Sequence, residues 1–251
     1  VKIEWTPLRA ELAIWRSEKL ALPFWWRDDD AVGPTSELKM LEELSADSGV
    51  PVHLAIVPRD VQDDLTHALT ENMIPVVHGW AHDNHAPSGH KKAEFGKGRD
   101  SAEAKQDLTQ ALQRMQAVFG GRLCKMFVPP WNRFDAALLP LLSEMGFDAI
   151  STFNARQQVF PTQGVEQINT HIDPIFWRGT RSLVPPEQLV AQIVNVLQER
   201  RLGLSDAREP LGYLTHHLVH DADIWEFSRQ FLMEICEGPV TLYRHDKKEK
   251  S

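Results

Sequence analysis

Cysteine is nearly absent from this chain. Cys124 and Cys236 are the two in 251 residues, too few for a disulfide framework, so a reducing cytoplasm is the expected compartment. No run of about 20 apolar residues occurs, which excludes a membrane-spanning helix. The first twenty residues mix charges with apolar side chains at helical spacing and contain no uninterrupted apolar block of the secretory type. Positive charge is also in deficit. The 27 Lys and Arg against 35 Asp and Glu leave a net −8, the wrong sign for a non-specific nucleic-acid surface. Neither an internal repeat nor a low-complexity linker divides the chain. With 42% hydrophobic and 25% charged residues it can bury a large core without disulfides or a structural metal, and one domain over 1–251 is expected.

What is abundant is tryptophan and histidine, eight and eleven residues. Apolar runs alternate with helical stretches in β-then-α order, the pattern of a mostly parallel sheet. Strands are expected at 23–27, running into Asp28-Asp29-Asp30, and at 52–57, 74–77, 125–128, 148–153, 212–216 and 240–243, with a further strand and loop end over 171–177. Helices are expected at 35–46, 60–71, 102–119, 135–145, 186–201 and 221–234. A long polar loop covers 81–99, and a charged, frayed tail follows from His245. Seven or eight such units fit a closed or partly open β/α barrel, with a doubly wound open sheet as the competing arrangement.

Chemistry collects at the strand ends. The first strand ends in three aspartates, the third in His78-Gly-Trp-Ala-His82, the fourth in Val128-Pro-Pro-Trp131-Asn132. A later segment carries Asp173 and Trp177, and the penultimate strand ends in Thr215-His216-His217. In a barrel, residues from distant parts of the sequence converge at the C-terminal strand ends. Imidazoles and carboxylates arriving there together point to a divalent metal with an acid and a base. His78 and His82 lie four residues apart, so a helical turn after the third strand would put both on one face to chelate one ion. A carboxylate from the triplet would complete three ligands and leave positions open for water and substrate. Three consecutive carboxylates repel one another unless a cation neutralises them. His85 and His90 read as solvent-facing. Trp131 and Trp177 are core side chains by default, but beside a polar cleft they also serve as platforms for a sugar ring.

These ordered blocks, spread over about 23–243, resemble the polysaccharide deacetylases, also called NodB-homology or carbohydrate esterase family 4 proteins. The resemblance implies an α/β fold, a distorted (β/α) barrel of seven or eight parallel strands. It also implies a hydrolase that removes acyl groups, usually N-acetyl from amino sugars, with one divalent metal: zinc first, with cobalt, nickel or manganese as alternatives. The family's Asp-Asp pair, a general base followed by a ligand, matches Asp29 and Asp30 when Ala31 takes the place of the family's small residue; Asp28 and Asp29 are the other register. Its His-x-x-x-His ligand pair matches His78 and His82. Its Arg-x-Pro-Tyr-Gly block is Val128-Pro129-Pro130-Trp131-Asn132 here. Valine thus stands where an arginine normally orients the base, with Arg27 or Arg133 as substitutes, and the Trp131 N–H takes the oxyanion position. Asp173 to Trp177 resembles the wall that orients the acid, with Asp173 keeping that histidine cationic. The family's pocket leucine matches Leu214, and strand alternation from it selects His216 as the acid over His217. Trp80, Pro130, Asn132, Trp177 and Leu214 are the implied substrate contacts.

The divergent third block indicates a separate subfamily. A glycan or amino sugar is the first substrate expectation. A small non-sugar amide is the second, because one site can host several C–N bonds. A catalytically silent carbohydrate-binding protein is the third. A basic loop (Lys91, Lys92, Lys97, Arg99) would suit an anionic glycan, although charge runs are usually solvated.

Overall fold

The computed structural model describes residues 2–245. Eight strands, β1 (Leu22–Ala31), β2 (Val52–Ile56), β3 (Met73–His78), β4 (Met126–Val128), β5 (Ala149–Ile150), β6 (Glu166–Gln167), β7 (Leu211–Thr215) and β8 (Val240–Leu242), form one sheet. The order is β6-β5-β4-β3-β2-β1-β7, with β8 also paired to β1, and every pairing is parallel. The sheet curls into a distorted β/α half-barrel. Residues 168–172 span the gap between β6 and β7 through single bridges: the Ile168 N–H donates to Ile150, and Ile172 pairs with Tyr213.

The helices are α1 (Thr6–Ser17), α2 (Ser36–Ser48), α3 (Leu65–Ala68), α4 (Ser101–Phe119), α5 (Leu139–Glu144), α6 (Pro186–Arg201) and α7 (Ala222–Cys236). No helix among the described residues is long and apolar enough to cross a membrane. Side-chain caps set three of the starts, since Thr35, Asp100 and Asp221 each accept from a first-turn N–H. One stripe of each long helix is buried, as with Ala104, Leu108, Ala111, Met115 and Phe119 of α4. These stripes and the outward side chains of β1 (Phe24, Trp26) and β2 (Val52, Leu54, Ile56) make the larger core. The inward set, including Trp25, Ala55, Ile74, Val76, Met126, Val128 and Tyr243, makes a second core inside the curl. Period-two alternation of the strands separates the two.

Several expected elements differ. β1 is longer than 23–27 because the aspartates continue the strand, each with a partner that satisfies it. The helix expected over 60–71 is a 3₁₀ turn (Pro58–Asp60) followed by the single turn of α3. The Gln62 N–H is drawn to the Val32 carbonyl at 2.8 Å, which leaves Val61 extended. Val61, Leu65 and Leu69 are nevertheless buried. The stretch 135–145 splits into a 3₁₀ turn and α5, because Pro140 tolerates only a helix's first turn. β5 is shorter than 148–153, and 171–177 has bridges rather than a strand. His245 is not frayed. It is buried, donates its backbone N–H to His53 Nε2 at 3.0 Å, and sits 2.8 Å from Asp148. Residues 246–251 of the expected tail lie outside the described residues.

Candidate active site

A cleft of about 850 Å³ opens over the C-terminal strand ends, lined by Asp29, Asp30, His78, His82, Trp131, Asn132, Asp173, Trp177 and His216 among others. The aspartate triplet reaches it through a defect in β1. Asp28 stands opposite Leu54, but Ala31 stands opposite Ile56, so β1 spends one residue more than β2 over this interval. Such a bulge re-aims side chains, and Asp30, with φ 75°, is its left-handed residue. Asp29 and Asp30 both face the cleft, whereas Asp28 points outward. There Asp28 accepts from the Thr215 hydroxyl at 2.6 Å and the His217 N–H at 3.0 Å, and it pairs with His217 Nδ1.

Burial alone would raise the Asp28 carboxyl and lower the His217 imidazole. Their mutual attraction more than offsets this, leaving Asp28 below and His217 above its ordinary value. His217 is fully buried and absent from the cleft wall. The alternates Asp28 and His217 therefore bind each other rather than standing in the cleft.

Asp30, His78 and His82 offer one ligand atom each, all within 4.8 Å of one another. The expected helical turn is not what unites the histidines. After β3 the chain bends through two left-handed residues, Gly79 (φ 58°) and His82 (φ 57°). Buried Glu94 holds the bend by accepting the N–H groups of Trp80 and Ala81 at 3.1 and 2.8 Å. Burial raises the Glu94 carboxyl, and these hydrogen bonds counter it. The donor set suits a divalent cation. His78 Nδ1 lies 3.0 Å from the Val128 carbonyl and must carry the proton there. In the neutral ring the Nε2 lone pair then faces Asp30 Oδ1 at 3.0 Å. His82 Nε2 stands 3.3 Å from the same oxygen. A histidine fixed through one nitrogen by a backbone carbonyl leaves its other nitrogen free to ligate, the orientation metal-binding imidazoles use. These three residues could hold one ion.

Asp29 is held by Arg27, two residues back on the same face of β1. Arg27 Nη2 donates to Asp29 Oδ2 at 3.0 Å, and Nε lies 2.9 Å from Oδ1 as an ion-pair contact. The same guanidinium donates to Asn132 Oδ1 at 2.6 Å and to the Ser151 hydroxyl at 2.7 Å. Arg133 does not take this place, since its Nη1 donates to the Lys92 carbonyl at 2.6 Å. Trp131 and Asn132 are consecutive left-handed residues, both with φ 57°. Asparagine tolerates that conformation better than most side chains, and tryptophan is strained by it. The turn brings the Trp131 ring to within 4.3 Å, centroid to centroid, of His82.

His216 lies across the cleft, its Nε2 3.9 Å from Asp29 Oδ2 and its Nδ1 buried without a hydrogen-bond partner among the described residues. Asp173 does not pair with it directly, contrary to expectation. Its carboxylate accepts the Ile175 N–H at 2.9 Å and Trp177 Nε1 at 2.8 Å, and the Trp177 ring meets His216 edge-on at 4.7 Å. Burial raises the Asp173 carboxyl, while His216 and these hydrogen bonds pull it back.

Three expected substrate contacts are not on the cleft wall. Trp80 packs on the larger core, Pro130 is buried against Gly79, and Leu214 is buried on the inner face of β7. Phe153, Asn154, Phe176, Arg178, Arg181 and Gln192 line the cleft instead. They come from irregular segments and α6, where no strand-end pattern marks them. His85 and His90 are exposed, as expected.

No family model and no curated protein matches the sequence. Solved structures do match the fold. A family 4 carbohydrate esterase from Streptomyces lividans, solved with acetate, superposes with a TM-score of 0.56 at 13% identity over 88% of this chain and 92% of its own. A peptidoglycan deacetylase from Bacillus subtilis gives 0.55 at 12% identity over 88% and 86%. A family 4 pseudoenzyme from Bacillus anthracis gives 0.55 at 14% over 88% and 63%. At such identities the shared property is the fold, and these comparisons place the chain on the barrel scaffold of the family 4 carbohydrate esterases.

Proposed function

We propose that this chain is a metal-dependent deacylase that removes an N-acetyl or related acyl group from an amino sugar, working as one catalytic domain with its core over about 23–243. The observation that carries the reading is the convergence in one cleft of the Asp30/His78/His82 donor set, the Arg27-held Asp29 and His216. A divalent ion held by that donor set, zinc foremost and cobalt, nickel or manganese next, would polarise the acyl oxygen and acidify a bound water.

The chain's own side chains do the rest. Asp29 accepts the proton of the attacking water, its carboxylate oriented by the Arg27 fork. The Trp131 N–H donates to the acyl oxygen as negative charge develops there. His216 delivers a proton to the departing amine. Trp177, itself hydrogen-bonded to Asp173, holds the edge of the His216 ring, and the indoles of Trp131 and Trp177 supply flat apolar surface for a sugar.

Metal analysis of the purified protein, paired with acetate release from N-acetylated oligosaccharides, tests this. One equivalent of metal and measurable release are expected, and the His78→Ala/His82→Ala double variant should lose both. Metal retained in that variant would overturn the ligand assignment.

A further inference from the structure

Three arginines on the cleft wall, Arg133, Arg178 and Arg181, have no task in the chemistry above. Several other arginines of this acidic chain are matched to acids, Arg9 to Glu234, Arg59 to Asp83, Arg99 to Asp107 and Arg201 to Glu11, and others, such as Arg16 and Arg122, are spent on backbone carbonyls. Among the described residues no carboxylate lies within ion-pair distance of Arg133, Arg178 or Arg181. The Arg181 guanidinium carbon lies 5.4 Å from the centroid of the Trp177 ring, the ring whose edge meets His216. A guanidinium therefore stands one indole away from the group that protonates the leaving amine. The cleft floor carries Asp29, Asp30 and Asp173, which attract a cation and repel an anion. A positive rim above that floor favours a ligand whose own anionic group stays at the rim. A neutral sugar has no use for it, since indoles and amides (Asn154, Gln192) already answer a ring and its hydroxyls. The positive surface continues into an adjoining hollow of about 430 Å³ lined by His90, Lys91, Lys97 and Arg133, with Asp135 as the acid on its wall. Arg99 of the same basic loop is spent on Glu103 and Asp107.

We infer that the cleft selects an acylated amino sugar whose amine-bearing unit carries a carboxylate or phosphate, read by the guanidinium forks of Arg178 and Arg181. This rests on the deacylase reading for the amide and on the arginine rim for the anion. Calorimetric binding of the free amines separates the two, because it needs no turnover. Glucosamine, glucosamine 6-phosphate and muramic acid are titrated into the metal-loaded protein. One of the two anionic amines should bind about tenfold tighter than glucosamine or better, and which one does so distinguishes phosphate from carboxylate. The preference should shrink between about 50 and 500 mM salt and vanish in Arg178→Gln/Arg181→Gln. Equal binding of all three amines overturns the inference. So does a preference that survives in the double variant, the result expected if phosphate binds through the metal alone. Acetate release from the N-acetyl forms is measured in parallel. An anion preference with no release from any of them would overturn the deacylase reading and leave the anion site standing.

Discussion

In a strand with period two, Asp28 and Asp30 would share a face and Asp29 would oppose them. The bulge in β1 breaks that rule, so adjacent carboxylates serve different partners: Asp28 the buried His217, Asp29 the Arg27 fork, Asp30 the histidine pair. Asp28→Asn removes the charge opposite a buried imidazolium. Breaking such a pair costs about 3–5 kcal/mol, so a fall in the melting temperature of several degrees is expected by thermal denaturation. Arg27→Lys keeps the charge and loses the fork. Turnover should then fall by about 100-fold through misplacement of Asp29, with metal content unchanged. A loss of metal in Arg27→Lys would refute the separation of these roles. Arg27 was legible as a candidate because it lies two residues before Asp29. What remained open was the register of the triplet, because only the left-handed Asp30 decides which carboxylates turn inward.

At the scale of elements, the histidine pair depends on a bend rather than a helix. Gly79 is left-handed, and a Cβ there would overlap Glu94 Oε2 and the ring of Pro130. Gly79→Ala should therefore dislodge Glu94 from the Trp80 and Ala81 N–H groups. Metal affinity should drop by roughly 10–100-fold, the usual cost of losing a ligand's support, measurable by competition with a chelator. Elements with strong local signals were readable: α6 begins at Pro186 and ends at Arg201 as its spacing requires. Elements governed by distant partners were not. The Val32 carbonyl cancels the helix after Asp60, and residues 168–172 close the curl with isolated bridges that no alternation announces. The same reason hid Phe176, Arg178 and Arg181 beside the expected Trp177, on a turn whose position is set by the Ile175–Leu183 bridge.

At the scale of the whole molecule, the two cores differ in chemistry. The outer one holds the buried Asp28–His217 ion pair, while the inner one contains His53, fully buried with Nδ1 3.2 Å from the Trp26 carbonyl and Nε2 accepting from His245. Burial is the main reason its imidazole is pushed down to about 3 from the ordinary 6.5. The unfolded chain therefore takes this proton before the folded one does. The stability His53 contributes is intact above about pH 6.5 and is lost as pH falls from there toward 3, at no more than about 1.4 kcal/mol per pH unit. Denaturation midpoints followed across that window should slope downward with acid, and His53→Gln should flatten the slope. An unchanged slope in the variant would assign the acid sensitivity elsewhere.

The filled interior of the curl has a further consequence. Trp25, His53, Tyr243 and His245 pack against one another inside the curl, so the cleft over the strand tips has no passage through the barrel beneath it. Whatever enters must leave by the same door. On the proposed deacylase reading, the acid and the amine would share that one exit, and whichever departs more slowly would bar the next substrate molecule.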